Sequence, residues 1–378
     1  MIVHFVQTVW GEEFIGKWAA FSLRTQLAAG NIPRLATEHD IVYHLYTDRA
    51  SLALAWQASA PLRAWAEVQM HAFETTLVDG RTMAAAVEGL PPATFKHEIN
   101  RLSEFHLIDA SLARGGDPVI MLTDSDMLFS VGSFWEAVSL IAAGRKVVGL
   151  PGLRLSMERL AWRAESFLAT DEELRHGLDP RTLVAALAGG AHPATEGCVV
   201  TSDAFTDYPA QILWPVGDEG FVCRAFFIHP LAFVPNPRCR RFDSTIDYDF
   251  SLAAWGGPDD IVLPGSAQVM MCKYSAMRHF TYCPTARRFS IGELAHFLLS
   301  ATNRAHRRLV SMPVRLRLGG SEEEWLRVEA ESAAVMDQAY ALVDRAVEEL
   351  PPDTPGLAIC RRSHFGPLSE FLSPQRQR

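Results

Sequence analysis

Short apolar runs alternate with stretches of helical period over most of this chain. Residues 2–6 form an apolar run of strand length. Residues 11–29 then place Phe14, Ile15, Trp18, Phe21, Leu23 and Leu27 at helical spacing and stop at Gly30, as a helix with a glycine stop does. A second strand is expected over 41–46, ending in Thr47-Asp48. Strand, helix, strand in that order opens a doubly wound sheet. Residues 52–73, rich in alanine and tryptophan, read as helix broken near Pro61, and 94–113 as a clearer helix ended by Gly115-Gly116. Val119 to Leu122, opened by Pro118 and bounded by polar residues, has the pattern of a buried parallel strand. Further on, the pattern predicts helices over 133–143 and 157–188, the latter crossed by Pro180, and strands over 146–150, 197–202 and 269–274. The fold class is therefore α/β: a mixed, mainly parallel sheet flanked by helices.

From residue 285 the pattern changes. Ser290 with Glu293 reads as a capping box opening a helix to about Met312, and Ser321 with Glu324 opens another that keeps its period to Leu350. The expected organisation is an α/β domain over 1–285, a helical appendage over 286–350, and an extended or partly disordered tail over 351–378 that is rich in proline at its start.

Composition adds limits. The formal charge of −9 argues against nucleic acid as a partner, which calls for a basic face. Met1 to Val6 lacks a basic leader and no window is apolar enough to span a membrane, so a cytoplasmic protein is expected. The six cysteines show neither metal-ligand spacing nor a disulfide framework, in keeping with a reducing compartment. Arg304, His306, Arg307, Arg308, Arg315 and Arg317 make the one basic region. It is a candidate for peripheral membrane or lipid-phosphate contact, or else a solvated face balanced by the acidic final helix.

Candidate chemistry sits at the end of the run Pro118–Leu122, where Asp124 and Asp126 stand one residue apart around Ser125. An open α/β sheet places ligands beyond the carboxyl ends of such strands. Carboxylates this close repel unless a cation or strong donors lie between them, and oxygen ligands suit Mg²⁺ or Mn²⁺.

An apolar strand running into Asp124-Ser125-Asp126 and then Met127-Leu128-Phe129 resembles the DXD motif of GT-A glycosyltransferases, bacterial type. That resemblance implies a GT-A-like, Rossmann-like fold and a nucleoside-diphosphate sugar as donor, with Asp124 and Asp126 holding the metal on its diphosphate. It also implies a catalytic domain over 1–285, with a nucleotide half over 1–150 and an acceptor half over 151–285, and a saccharide, lipid-linked or protein acceptor that no residue identifies. By the same resemblance Gln7, Thr8 and Asp48, at the ends of the first two strands, become candidates for the base and ribose, and Lys96 for the donor phosphates. Asp218 or Glu219, in Trp214-Pro215-Val216-Gly217-Asp218-Glu219, becomes the candidate general base of an inverting reaction. Each also has a plainer reading: strand-end polar residues, a solvated lysine, and acids favoured by a helix N-terminus. His279, with His229 behind it, is the candidate further metal ligand. Asp243, Asp247 and Asp249 are either acceptor-pocket or simple loop residues.

Two other classes compete. Haloacid-dehalogenase phosphatases or phosphotransferases also place Asp-x-Asp after an apolar strand, but near the domain start, whereas two expected strands precede it here. A non-catalytic sugar-nucleotide-binding protein on the same fold is the third. Turnover of a donor separates it from the enzyme.

Overall fold

A computed structural model describes residues 1–160, 177–240, 242, 245–247, 250–257, 259–279 and 287–351. In chain order its strands are β1 (Ile2–Thr8), β2 (Asp40–Thr47), β3 (Glu67–Ala72), a hairpin of β4 (Leu77–Val78) and β5 (Arg81–Thr82), β6 (Pro118–Thr123), β7 (Met127–Phe129), β8 (Val147–Pro151) and β9 (Arg154–Ser156). After these come β10 (Gln211–Pro215), β11 (Gly220–Ala225), β12 (Ile228–Phe233), β13 (Ile261–Val262), β14 (Met271–Ser275) and β15 (Val314–Arg317).

Seven of them form the central sheet in the order β13-β8-β12-β6-β1-β2-β3. Every pairing is parallel except the two made by β12, which runs against β6 and β8. The α/β class with a mainly parallel sheet is thus what the chain adopts. Strand β6 shows why its sequence is uniformly apolar. Val119 and Met121 enter the core on one face of the sheet, and Ile120 and Leu122 the core on the other. A strand covered on both faces has no polar side to alternate with.

Helix α1 comprises Glu12–Lys17, a π-turn over Trp18–Ser22, and Leu23–Gln26. Helix α2 spans Pro92–Arg114, α3 Ser133–Ala142 and α4 Pro180–Gly190. Of the long helix expected over 157–188, residues 161–176 lie outside the described ones.

Three expectations are corrected. The helix expected over 52–73 is Leu52–Ala58 only; a 3₁₀ turn at Ala60–Ala64 follows, and then β3 joins the sheet edge beside β2. Pro61 removes the donor a continuing helix needs, and the partner strand overrides the helical propensity of the alanines. The strand expected over 197–202 is a series of turns with one bridge, Val199 to Leu213. The helix expected from 290 to 312 breaks at Thr302 and Asn303, both extended, into α5 (Ile291–Ala301) and α6 (Arg304–Ser311). Asn303 Oδ1 accepts from Ala305 N at 2.9 Å, and His306 Nδ1 accepts from Asn303 N at 3.1 Å, so a capping box interrupts what the period alone would continue.

The C-terminal region does not stand apart. It ends in α7 (Glu322–Glu349), but β15 lies before that helix and pairs with β11 in the sheet β10-β11-β15. Ile212, Trp214, Val222, Trp325, Val328 and Val343 share one core there. Gly220 has φ +127° and a Cβ on it would lie 1.9 Å from the Leu316 carbonyl oxygen, so only glycine permits this strand approach. The buried Arg224 ties the parts together: its guanidinium donates to the carbonyls of Val310, Ser311 and Glu329 and to Ser332 Oγ. The basic region is largely spent on α7, with Arg307 on Asp344 and Arg315 on Glu322 and Glu329. No helix among the described residues is long and apolar enough to cross a membrane.

Candidate active site

The chain leaves β1 towards β2 on one side and reaches β6 on the other, so the sheet reverses its strand order between β1 and β6. The carboxyl ends of strands at such a reversal frame a crevice where α/β proteins bind ligands. Here that crevice is a cavity of about 680 Å³, within the range of roughly 300–1,000 Å³ usual for small-molecule sites. Thr8 to Trp10 enter it from β1, and Thr123 to Asp126 from β6.

The Asp-Ser-Asp turn is held from three sides. Ser22 Oγ of α1 donates to the Asp124 carbonyl at 2.9 Å, Met127 N donates to the same oxygen at 3.2 Å, and Tyr274 N donates to the Asp126 carbonyl at 2.6 Å. The last bond comes from a small sheet, β7-β14-β9, which begins where the motif ends. In it Lys273 pairs in register with Met127 on one side and Arg154 on the other. Period-two alternation then puts Lys273, Ser275 and Arg154 on one face, beneath the two aspartates.

Those side chains meet the aspartates directly. Lys273 Nζ donates to Asp124 Oδ2 at 2.7 Å. Ser275 Oγ donates to Asp126 Oδ2 at 2.9 Å, while Arg154 Nη1 donates to Ser275 Oγ at 2.9 Å and stands 3.7 Å from Asp126 Oδ2. Burial alone would raise the Asp124 carboxyl; the Lys273 ammonium outweighs it and holds the group at about 2. Burial would lower Lys273 in turn, and Asp124 and Asp126 together raise it. The four groups form a charge-balanced quartet.

The donor set bears on the expected metal. Among the described residues no three His, Cys, Asp or Glu side chains gather to hold an ion. Each aspartate has also committed its Oδ2, to a cation in one case and to a serine with a cation behind it in the other. As placed, the pair does not fit a resident Mg²⁺ or Mn²⁺ ion unless Lys273 and Arg154 give way, because a dication would sit against two fixed positive charges.

Helix α2 supplies a second wall with Lys96, His97, Asn100, Arg101 and Glu104. Arg101 is bound to Glu98, whereas Lys96 makes no ion pair with a described residue. Burial first, then the charges of Asp124 and Asp247, push the Glu104 carboxyl well above its ordinary range. Asp247 lines the cavity and makes no ion pair with a described residue. Buried His229 is lowered by desolvation; its Nε2 donates to the Leu122 carbonyl at 3.3 Å, which fixes the neutral tautomer. Trp10, Phe14, Phe21 and Tyr274 provide an aromatic wall.

Of the residues picked from sequence, Thr8, Lys96, Asp124, Ser125, Asp126, Asp247 and His229 come together in this cavity. Gln7 is fully buried one position short of it and accepts from Thr123 Oγ1 at 3.2 Å, bracing the motif strand from behind. Asp48 caps the turn Arg49–Ser51, accepting from Ser51 N at 2.9 Å. Asp218 and Glu219 lie in the tight turn joining β10 to β11, not at the helix start expected from their spacing, and the cavity lining does not include them. The reason is Gly217 and Gly220, both at positive φ, which turn the chain back into an antiparallel strand. His279 closes the turn Met277–His279, its side chain outside the described residues along with Asp243 and Asp249.

Sequence reasoning passed over Arg154, Glu104, Lys273 and Ser275. Lys273 carried a signal: a lone cation inside the apolar run Val269-Met270-Met271-Cys272-Lys273-Tyr274 must find a partner or a ligand.

No family model matches the chain, and no curated protein matches it. Among solved structures it is similar to mouse xyloside xylosyltransferase 1, at 14% identity and TM-score 0.28, covering 44% of this chain and 58% of that one. It is also similar to 4-diphosphocytidyl-2C-methyl-D-erythritol synthase from Anaerococcus prevotii, at 9% identity and TM-score 0.22, covering 41% and 56%. The chain spans less than two thirds of either protein's length.

Proposed function

We propose that the protein transfers a sugar from a nucleoside-diphosphate donor to an acceptor hydroxyl. One observation carries the reading: the crevice at the β1/β6 strand reversal holds the Asp-Ser-Asp turn together with Lys96, Arg154 and Lys273. A diphosphate calls for concentrated positive charge, and a sugar for carboxylate and amide acceptors and donors, which Asp124, Asp126, Asn100 and Glu104 offer. The aromatic wall of Trp10 and Phe14 suits a stacked nucleobase.

In the transfer, the bond from the anomeric carbon to the diphosphate oxygen breaks and its electron pair leaves on the diphosphate. The acceptor oxygen bonds to that carbon and gives up its proton. Asp247, a carboxylate of the cavity lining, would take it in an inverting reaction, with Glu104 hydrogen-bonded to the sugar. The Lys273 and Arg154 cations, held in the cavity lining by Asp124 and Asp126, would offset the charge left on the diphosphate.

The test is release of nucleoside diphosphate from a panel of uridine, guanosine, adenosine and cytidine diphosphate sugars, with mixed saccharide and lipid acceptors. Release from one nucleotide class, lost in Asp247→Asn, supports the reading. A folded sample that neither binds nor turns over any of them refutes it. Release of inorganic phosphate from sugar phosphates would instead favour the phosphatase.

A further inference from the structure

Resting on that reading, we infer that Lys273 and Arg154 bind the donor diphosphate directly, so that donor binding needs no divalent ion.

The inference starts from donors left over. An ammonium carries three N–H groups, and the one hydrogen bond Lys273 Nζ makes to a described residue is that to Asp124. A guanidinium carries five, and Arg154 spends one, on Ser275 Oγ. Both side chains line the cavity, and both are fixed at neighbouring register positions of β14 and β9. Lys273 is only 17% exposed, so its remaining donors face either the cavity or unsatisfied burial. The aspartates then act as positioning residues. Asp124 holds the ammonium, and Asp126 holds the guanidinium through Ser275, at the mouth of the crevice where a diphosphate would lie. Lys96, on the opposite wall and without an ion-pair partner among the described residues, adds a third cation to the same space. An anion entering here meets the unspent donors of cations already partly desolvated and held in place by their carboxylates, an arrangement that strengthens charge-assisted bonds.

A metal-dependent site and a cation site differ in the sign of one substitution. If Asp126 holds a metal, Asp126→Asn abolishes diphosphate binding. If Asp126 only positions Arg154, removing its charge leaves binding intact or tightens it.

The experiment is isothermal titration of the full chain with inorganic pyrophosphate and with uridine and guanosine diphosphates, in EDTA and again with Mg²⁺ or Mn²⁺. Expected are Kd values within about threefold with and without metal, a loss of about tenfold or more in Lys273→Met and in Arg154→Gln, and retained or tighter binding in Asp126→Asn. Lys273→Arg, which keeps the charge, recovers part of the loss. Should Lys273→Met fail to fold, Arg154→Gln and Asp126→Asn decide the matter. Binding that appears only with metal and vanishes in Asp126→Asn overturns the inference while sparing the sugar-transfer reading. No binding under either condition overturns both.

Discussion

Acid should unfold this protein by charging imidazoles buried between its first three strands. His4 of β1 lies 3.0 Å from His44 of β2, Nδ1 to Nε2, and His44 Nδ1 lies 3.1 Å from His71 Nε2 of β3. His71 stacks on Tyr46, whose hydroxyl meets His106 Nδ1 at 2.8 Å. Each ring-to-ring link needs one ring to donate and the next to accept, so the accepting ring must be neutral. Burial lowers His4 to about 4, with Arg114 adding to it and Glu67 opposing. It lowers His44 to about 2, with His71 and His4 adding, and His71 to about 4, with His106 adding. The folded values lie below the ordinary 6.5, so the stability tied to the neutral rings is present above pH 6.5 and is lost as pH falls towards 4. At about 1.4 kcal/mol per unit, the drop from 6.5 to 5 costs about 2 kcal/mol per ring, hence about 4 kcal/mol for the two most buried, His4 and His44. That is a large share of the roughly 5–15 kcal/mol that stabilises a typical domain. The assay is urea unfolding at pH 7.5 and pH 5.0, comparing the native chain with His44→Gln, whose amide can still donate one way and accept the other. The variant should lose about 2 kcal/mol less on acidification, a difference that cancels the other depressed histidines, among them His97, His192 and His229. Equal losses in the two proteins would refute the reasoning.

Three further outcomes are expected. Arg224→Met should cost roughly 3 kcal/mol in the same unfolding assay, because it strands the carbonyls of Val310, Ser311 and Glu329 without a donor. Glu104→Gln should raise stability at neutral pH: burial pushes the native carboxyl above its ordinary range, so its contribution is full below the ordinary carboxylate value and falls as pH rises, whereas the amide does not titrate. The gap between the two proteins should therefore widen from pH 5 to pH 8, and a constant gap would count against the upward push on Glu104. Asp218→Asn and Glu219→Gln should leave any sugar transfer within about twofold of the native rate, since their turn lies outside the cavity; a loss of a hundredfold in either would return them to the chemistry.

How far the sequence could be read follows from what each position senses. Val119 to Leu122 read plainly as strand because both their faces are buried, so composition alone marks them. Asp124 and Asp126 were legible for the same reason, as polar residues fixed to the end of that strand. β3 was not, because its strand identity comes from β2, a partner 25 residues away at the register pair His44–Gln69, and not from the alanine- and tryptophan-rich stretch that leads into it. The break at Asn303 was hidden by an unbroken apolar period on either side, since a cap acts through one side chain and leaves the period intact. The site divides the same way. Two acids one residue apart announce themselves locally, whereas the cations that answer them arrive from 28 and 147 residues further on, as Arg154 and Lys273 measured from Asp126. A single charged residue in a buried strand is the trace such a partner leaves. Lys273 left that trace, and its chemistry became readable only once β14 was laid beside β7. A motif of carboxylates therefore specifies where charge gathers, and the strand laid alongside it decides whether a metal or a lysine answers that charge.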